Sequence, residues 1–403
     1  MKSNFRSIFV RGSGRFAQVD GLRAIAILWS FSFHIVLLFA DFMPQADTEA
    51  LFGRTNLQWL LHGHFGVDIF FIISGFLIGD LLIGEVERTQ NLRFMRFYVR
   101  RTIRLAPLYY LVIAIVFAFG VITQDPKLNI SQAWANLIYV NNFIPTLQQF
   151  MPWTWSLAVE EQFYLLCPLL ILAIYRFKVN PIWAMAVLIS LAFGLNILLG
   201  LSAGGTFYFI IHPALNPAST VEFSKYYDLL YDNLHTRYAA LVMGVLLAFL
   251  IRRPGFLRVI SLNRSAILML VVAIGLIYGV LDQINYERWQ DPVGNFFMAT
   301  YRYWFALGAT LLLVLTFSSA PVGKWLTKFL SMKFWYPIAQ TSYSAYLIQP
   351  VVIFMVIRGW YHGQAIGFGD IMLIWWVCAL ITFAVSILLY AFVEKPLMDI
   401  RPK

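Results

Sequence analysis

The sequence predicts an all-α, polytopic integral membrane protein with about ten transmembrane helices and both termini in the cytoplasm. Three observations predict it. The 403 residues are 60% hydrophobic and only 12% charged, about half the charged fraction of a soluble domain. The apolar runs are helix-length and lack the ten-residue alternation of a membrane barrel. The basic residues fall on alternate connections. Counted from a cytoplasmic N-terminus, one side receives Lys2, Arg6, Arg11, Arg15, Arg23, Arg88, Arg93, Arg96, Arg100, Arg101, Arg104, Arg176 and Lys178. It also receives Arg252, Arg253, Arg258, Arg264, Lys324, Lys328, Lys333, Lys395, Arg401 and Lys403, which makes 23 of the 30. Such a bias fixes orientation and an even number of crossings. The net charge of +10 therefore reads as topology, and no nucleic-acid partner is expected.

In order, the expected spans are 22–42, 65–84, 107–123, 156–176, 181–201, 234–251, 265–281, 300–318, 339–358 and 370–392. The first follows a basic segment, as a secretory signal does. It is long, contains His34 and lacks a small-residue cleavage site, so it is expected to remain. The segment 129–150, with Trp134, Asn136, Asn141 and Asn142, is too polar to span and reads as interfacial or re-entrant. The connection 202–233 carries His212, Lys225, Asp228 and Asp232. Cys167 and Cys378 fall inside spans without a metal-ligand pattern and read as packing residues. No repeat, low-complexity tract or appended soluble domain is visible, so residues 1–403 are expected to form one transmembrane domain.

The chemistry starts from Arg23 and His34. Eleven residues make roughly three helical turns, so both lie on one face about 16 Å apart, with Ser30 between them. Ionisable residues inside a membrane helix usually face a functional interior, and histidine serves as a general base near neutral pH. A histidine that merely ties two helices together is the alternative, and the aligned arginine favours function. In the second span, Gly75 and Gly79 form a small-xxx-small pair that permits close helix approach. Asp68 lies near its outer end, as an interfacial or a site carboxylate.

Arg93, Arg96, Arg100, Arg101 and Arg104 precede Pro107, where the third span is expected to begin. Five arginines without a lysine suit bidentate phosphate binding beyond simple anchoring. Glu160 shares a helical stripe with Ser156 and Tyr164, whereas Glu161 shares its stripe with leucines, so Glu160 is the candidate for an interior site. Ser342, Tyr346 and Gln349 recur at i, i+4 and i+7, a polar stripe unsuited to lipid. His235 and Arg237 open the sixth span at the outer end of the same interior. His62, His64, His212 and His362 fall in expected external loops and receive no role. No dinucleotide loop, phosphate loop or metal-ligand set is present.

At these residues the chain resembles the acyltransferase-3 family of polytopic acyltransferases. The matching blocks are Asp20-Gly-Leu-Arg-Ala-Ile-Ala through His34, Gly66-Val-Asp-Ile-Phe-Phe ending at Ser74-Gly75-Phe76, and Arg101-x-x-Arg104 before Pro107. They continue with Trp155-Ser-Leu through Glu160-Glu-Gln-Phe-Tyr, Ser342-Tyr-Ser-Ala-Tyr-Leu and the closing Glu394-Lys-Pro. The resemblance runs from the first helix to the last. It implies transfer of an acyl group, usually acetyl, from cytoplasmic acyl-CoA to a hydroxyl of a carbohydrate or lipid-linked glycan at the bacterial cytoplasmic (inner) membrane. By the resemblance His34 is the catalytic histidine, general base or acyl relay, with Arg23, Arg101 and Arg104 near acetyl-CoA as donor co-substrate.

Glu160 joins His34 as a catalytic candidate, and Asp68, Ser74, Tyr164, Arg237, Tyr346 and Gln349 are expected to bind substrate, without a metal. Gln349 stands where many relatives carry histidine, which weakens any second base in the ninth span. The external esterase-like domain fused to some relatives is not seen, so transfer within one domain is expected. The competing class is a transporter or proton-coupled permease built on the same polar residues; the missing internal repeat weighs against it.

Overall fold

The computed structural model of the protein describes residues 2–12, 16–40, 60, 62–125, 128–202, 224–283, 292–364 and 366–400. His212, Arg15, Arg401, Lys403 and the expected end of the first span at 41–42 lie outside the described residues. Everything described is helix, turn or irregular chain. The long helices are α1 (Ala17–Ala40), α2 (Phe65–Thr89), α3 (Phe94–Thr123), α4 (Trp155–Arg176) and α5 (Pro181–Ser202). They continue with α6 (Leu234–Leu250), α7 (Asn263–Gln283), α8 (Pro292–Leu315), α9 (Ser342–Trp360) and α10 (Phe368–Leu389).

Among the described residues, nine helices are long and apolar enough to cross a membrane by themselves. The tenth is α6, which follows the segment Ser224–Tyr231 at a 46° bend. Side-chain pairing bears on how to count it. Arg23 on α1 meets Ser342 at the start of α9, and His34 meets Gln349 further along both helices. The residue numbers rise together, so α1 and α9 run parallel. Gly75 and Gly79 on α2 likewise meet Leu241 and Val245 on α6. Parallel neighbours at first and ninth, and at second and sixth, fit the bent segment counting as one crossing, which makes ten among the described residues.

The glycines read as packing devices do that work. A Cβ on Gly75 would lie 1.9 Å from the Leu241 carbonyl oxygen, and one on Gly244 would lie 2.1 Å from that of Ile72. Backbones therefore touch at the α2–α6 crossing, where dispersion rather than hydrophobic transfer holds helices together in lipid. Gly63 and Gly66 make the same approach to Trp29 and Ala26 on α1. In contrast, α5 and α7 are apolar on every side and turn Trp183, Leu191 and Leu198, or Ile267, Leu268 and Val271, outward, as peripheral lipid-facing helices should.

One element differs from the sequence expectation. The third helix begins at Phe94, and Pro107 lies inside it instead of opening it. Proline removes one backbone bond but is tolerated in membrane helices, where neighbours re-satisfy the freed carbonyl. The arginine cluster thus sits on the helix itself. Segment 129–150, expected to be interfacial or re-entrant, winds through short turns, and Asn136, Asn141, Asn142 and Gln149 are buried. Its amides are bonded inside, Asn136 to Thr154 at 2.9 Å, Gln162 to Asn142 at 2.8 Å and Gln149 to Asp232 at 3.0 Å.

Candidate active site

A cavity of about 720 Å³ enters the bundle beside the end of α2 and the start of α3. Helical period places its walls. Phe97, Arg100, Arg101 and Arg104 line it from α3 at i, i+3, i+4 and i+7, one continuous face of a helix. Ser156 and Glu160 face it from α4, and Ser342 and Tyr346 from α9. Six arginines (Arg23, Arg88, Arg96, Arg100, Arg101, Arg104) stand against four carboxylates (Glu85, Glu160, Glu394, Asp399). The surplus is positive.

Individual contacts grade from mouth to apex. Arg101 lies 3.8 Å above the ring of Tyr164, which is itself buried; its Nε has no hydrogen-bond partner. Arg104 makes no hydrogen bond or ion pair among the described residues. Arg23 donates to Ser342 Oγ at 2.9 Å. Glu160 accepts from Ser74 Oγ at 2.6 Å, and Glu394 accepts from Ser344. At the apex the Tyr346 hydroxyl gives its proton to the Trp153 carbonyl at 2.5 Å. Its oxygen therefore accepts from Ser156 Oγ, 2.6 Å away.

His34 is half-buried and stands beyond that apex, outside the cavity's lining. Its Nδ1 is 2.9 Å from Gln349 Nε2, one turn of α9 past Tyr346. The stripe expected on α1 and the stripe expected on α9 thus face one another, Arg23 with Ser342 and His34 with Gln349. Glu160 is bonded to Ser74, while the imidazole is held by Gln349.

Asp68 and Arg237 belong to a different cluster. Asp68 is 2% exposed, so it is no interfacial carboxylate. Arg237 Nη2 approaches its Oδ1 at 3.0 Å and Arg302 Nη1 its Oδ2 at 2.7 Å. Rings compensate the second cation: Arg237 lies 5.1 Å over Trp155 and Arg302 4.3 Å over Tyr231, a contact stronger when desolvated. His62 and His64, expected on the surface, are also buried, in the turn that leads into α2; the close α1–α2 crossing at Gly63 draws them in. His235 and His362 are exposed.

Sequence reasoning missed two residues. Arg302 was readable as an arginine just inside the eighth span. Glu394 was readable as a lone carboxylate after the apolar run of α10. It reaches the cavity where the last helix loosens into a π turn at Tyr390–Glu394, a feature frequent at functional sites. Among the described residues, no group of three or more His, Cys, Asp or Glu is placed to hold a metal.

With this geometry in place, the similarities to known proteins are informative. Residues 16–391 match the family described as an acyltransferase domain. The chain belongs to the acyltransferase-3 family. O-acetyltransferase OatA of Staphylococcus aureus is 32% identical over 400 residues, covering 94% of this chain and 56% of the relative. Peptidoglycan O-acetyltransferase OatA of Listeria monocytogenes is 31% identical over 194 residues, or 45% of this chain and 27% of the relative. The chain thus spans about half the length of the curated relatives it matches. No solved structure matches it significantly.

Proposed function

We propose that the protein transfers an acetyl group from cytoplasmic acetyl-CoA to a hydroxyl of a carbohydrate or lipid-linked glycan, in the bacterial cytoplasmic membrane with both termini inside. One observation carries the reading: a cavity lined by six arginines that reaches the Ser156–Tyr346 pair, one turn of α9 from the Gln349 that holds His34. An anion with several phosphates fits the charge surplus, and the planar forks of Arg101 and Arg104 suit phosphate oxygens. A flexible thioester arm reaches from there toward the apex; Arg23 and His34 are separated along α1 by about 16 Å.

In the reaction His34 removes the acceptor's hydroxyl proton, and the alkoxide attacks the thioester carbonyl. The tetrahedral intermediate expels the CoA thiolate, which takes up that proton, so ester and thiol form with no net proton change. Of the hydrogen-bond donors on the cavity wall, the Ser156 hydroxyl at the apex is nearest the developing negative charge, where it exchanges its bond to Tyr346 for one to the oxyanion. A donor aimed at that charge supplies much of acyl-transfer catalysis, while Arg23 stays with the acyl donor. Glu160, held by Ser74, lines the donor arm near the apex. The acceptor approaches from the side of Asp68, Arg237 and Gln349; Trp155 and Tyr231 back the buried guanidinium groups there, and Tyr164 lies under Arg101 on the donor side. The acyl group acts within this transmembrane domain, and the names of the relatives support acetyl as the group and a cell-wall glycan as an acceptor of this kind. Radiolabelled acetyl-CoA supplied to purified protein in nanodiscs, with and without a glycan acceptor, tests this. Acetyl transfer, or slow release as acetate, supports the reading; intact acetyl-CoA after prolonged incubation refutes it.

A further inference from the structure

Two connections on the arginine-rich face form one surface that the reaction leaves unused. The first, between α6 and α7, exposes Arg253, Arg258 and Arg264. The second, between α8 and α9, contains the helix Pro321–Leu330 and exposes Lys324, Lys328 and Lys333. They are fastened together: Ser318 Oγ donates to the Ile260 carbonyl at 2.7 Å, and the Ser319 N–H donates to Ser261 Oγ at 3.0 Å. Neither connection contains an acidic residue. None of these six cations has a side-chain partner among the described residues.

The same surface exposes apolar side chains at the level where the helices leave the bilayer. Trp325 is 66% exposed, Phe334 55% and Val259 55%. Tryptophan beside lysine at a span's end is the composition that settles at lipid headgroups. The surface is also rigidly backed. A Cβ on Gly21 would lie 2.3 Å from the Leu330 carbonyl oxygen, so this helix rests directly on α1, two residues from Arg23. Arg11 adds a hydrogen bond to the Ser331 carbonyl at 2.8 Å.

We propose that this paired surface is a docking site for the headgroups of anionic glycerophospholipids. Unpaired cations supply the charge complementarity, and Trp325 and Phe334 insert beside the acyl chains. Ordinary positive-inside anchoring accounts for cations spread over every connection on this face; it does not account for two acid-free connections bonded into one surface with exposed aromatic rings. Because the surface is braced on α1 next to Arg23, bound lipid also steadies the wall of the donor cavity.

Native mass spectrometry of the full chain in detergent, offered phosphatidylglycerol and phosphatidylcholine in equal amounts, tests the proposal. Phosphatidylglycerol is expected to be retained preferentially. The exposed triple variant K324Q/K328Q/K333Q should lower that retention on the order of tenfold or more, since each basic residue near an anionic surface contributes appreciably, with phosphatidylcholine retention unchanged. Circular dichroism confirms that the variant is folded. The two-site variant R176Q/K178Q, on the same face but outside the surface, should leave retention intact. Equal retention in the triple variant and the parent overturns the proposal. So does an equal loss from R176Q/K178Q, which indicates diffuse charge alone, and so does displacement of the lipid by millimolar inorganic phosphate, which indicates a free-anion site.

Discussion

Arg104→Gln separates ligand binding from stability more cleanly than any other change in the cavity. Arg104 has no hydrogen bond or ion pair among the described residues and sits within electrostatic reach of Arg101 and Arg23. Removing it therefore breaks no hydrogen bond, and the repulsion relieved at Arg101 and Arg23 offsets the attraction lost to Glu394. Stability should stay within about 0.5 kcal/mol of the parent or rise. Donor binding should fall. A hydrogen bond to a charged partner is worth about 1.5–3 kcal/mol, so the dissociation constant for acetyl-CoA should rise roughly 10–150-fold. Isothermal titration calorimetry in nanodiscs reads the binding, and thermal unfolding of the same preparation reads the stability. Arg104→Lys should recover only part of the affinity, because an ammonium does not reproduce the bidentate fork. An unchanged dissociation constant refutes the phosphate assignment. A loss of more than about 2 kcal/mol in stability refutes the claim that the residue is structurally unpartnered.

Three further outcomes follow from the geometry. His34→Ala should abolish acetyl transfer yet leave acetyl-CoA affinity within about twofold, since the imidazole lies outside the cavity's lining; calorimetry and label transfer on one sample check both halves, each step of tenfold being about 1.4 kcal/mol. Asp68→Asn leaves two buried guanidinium groups without their carboxylate, and the loss should be about 3–5 kcal/mol, read as a lower unfolding midpoint; an unshifted midpoint would show that the rings alone carry both cations. Gly75→Ala places a Cβ 1.9 Å from Leu241 O and should cost about 1–3 kcal/mol by forcing helices apart, whereas Gly275→Ala, with nothing within 4 Å, should be neutral in the same unfolding assay.

The legible part of this chain is the part written in periodicity and charge. Apolar length placed ten crossings, including the bent sixth, and the polar stripes on α1 and α9 announced residues that turn out to face each other. Spacing alone gave Arg101 and Arg104 a common face. What did not show in the sequence is contact across elements. Asp68 looks interfacial when only α2 is considered, because the arginines that bury it come from α6 and α8. Glu394 looks terminal until the π turn of the last helix aims it inward. His62 and His64 look like loop residues because nothing local reveals that Gly63 lets α2 press on α1.

Gln349 carries the most consequential of these cross-element contacts. As placed, its amide nitrogen faces His34 Nδ1, and its Oε1 is buried without a partner. An amide donating to Nδ1 leaves the ring proton on Nε2, so the outward nitrogen is a donor and not a base. Turning the amide end for end presents Oε1 to an Nδ1–H and frees the Nε2 lone pair. Glutamine can hold either tautomer, whereas a hydrocarbon holds neither. General-base action at Nε2 therefore requires the turned amide, and the buried, unbonded Oε1 is the atom that gains a partner when it turns. The residue opposite an imidazole sets which of its nitrogens is basic, so the base proposed for this chain is better described as the facing pair His34 and Gln349 than as one histidine.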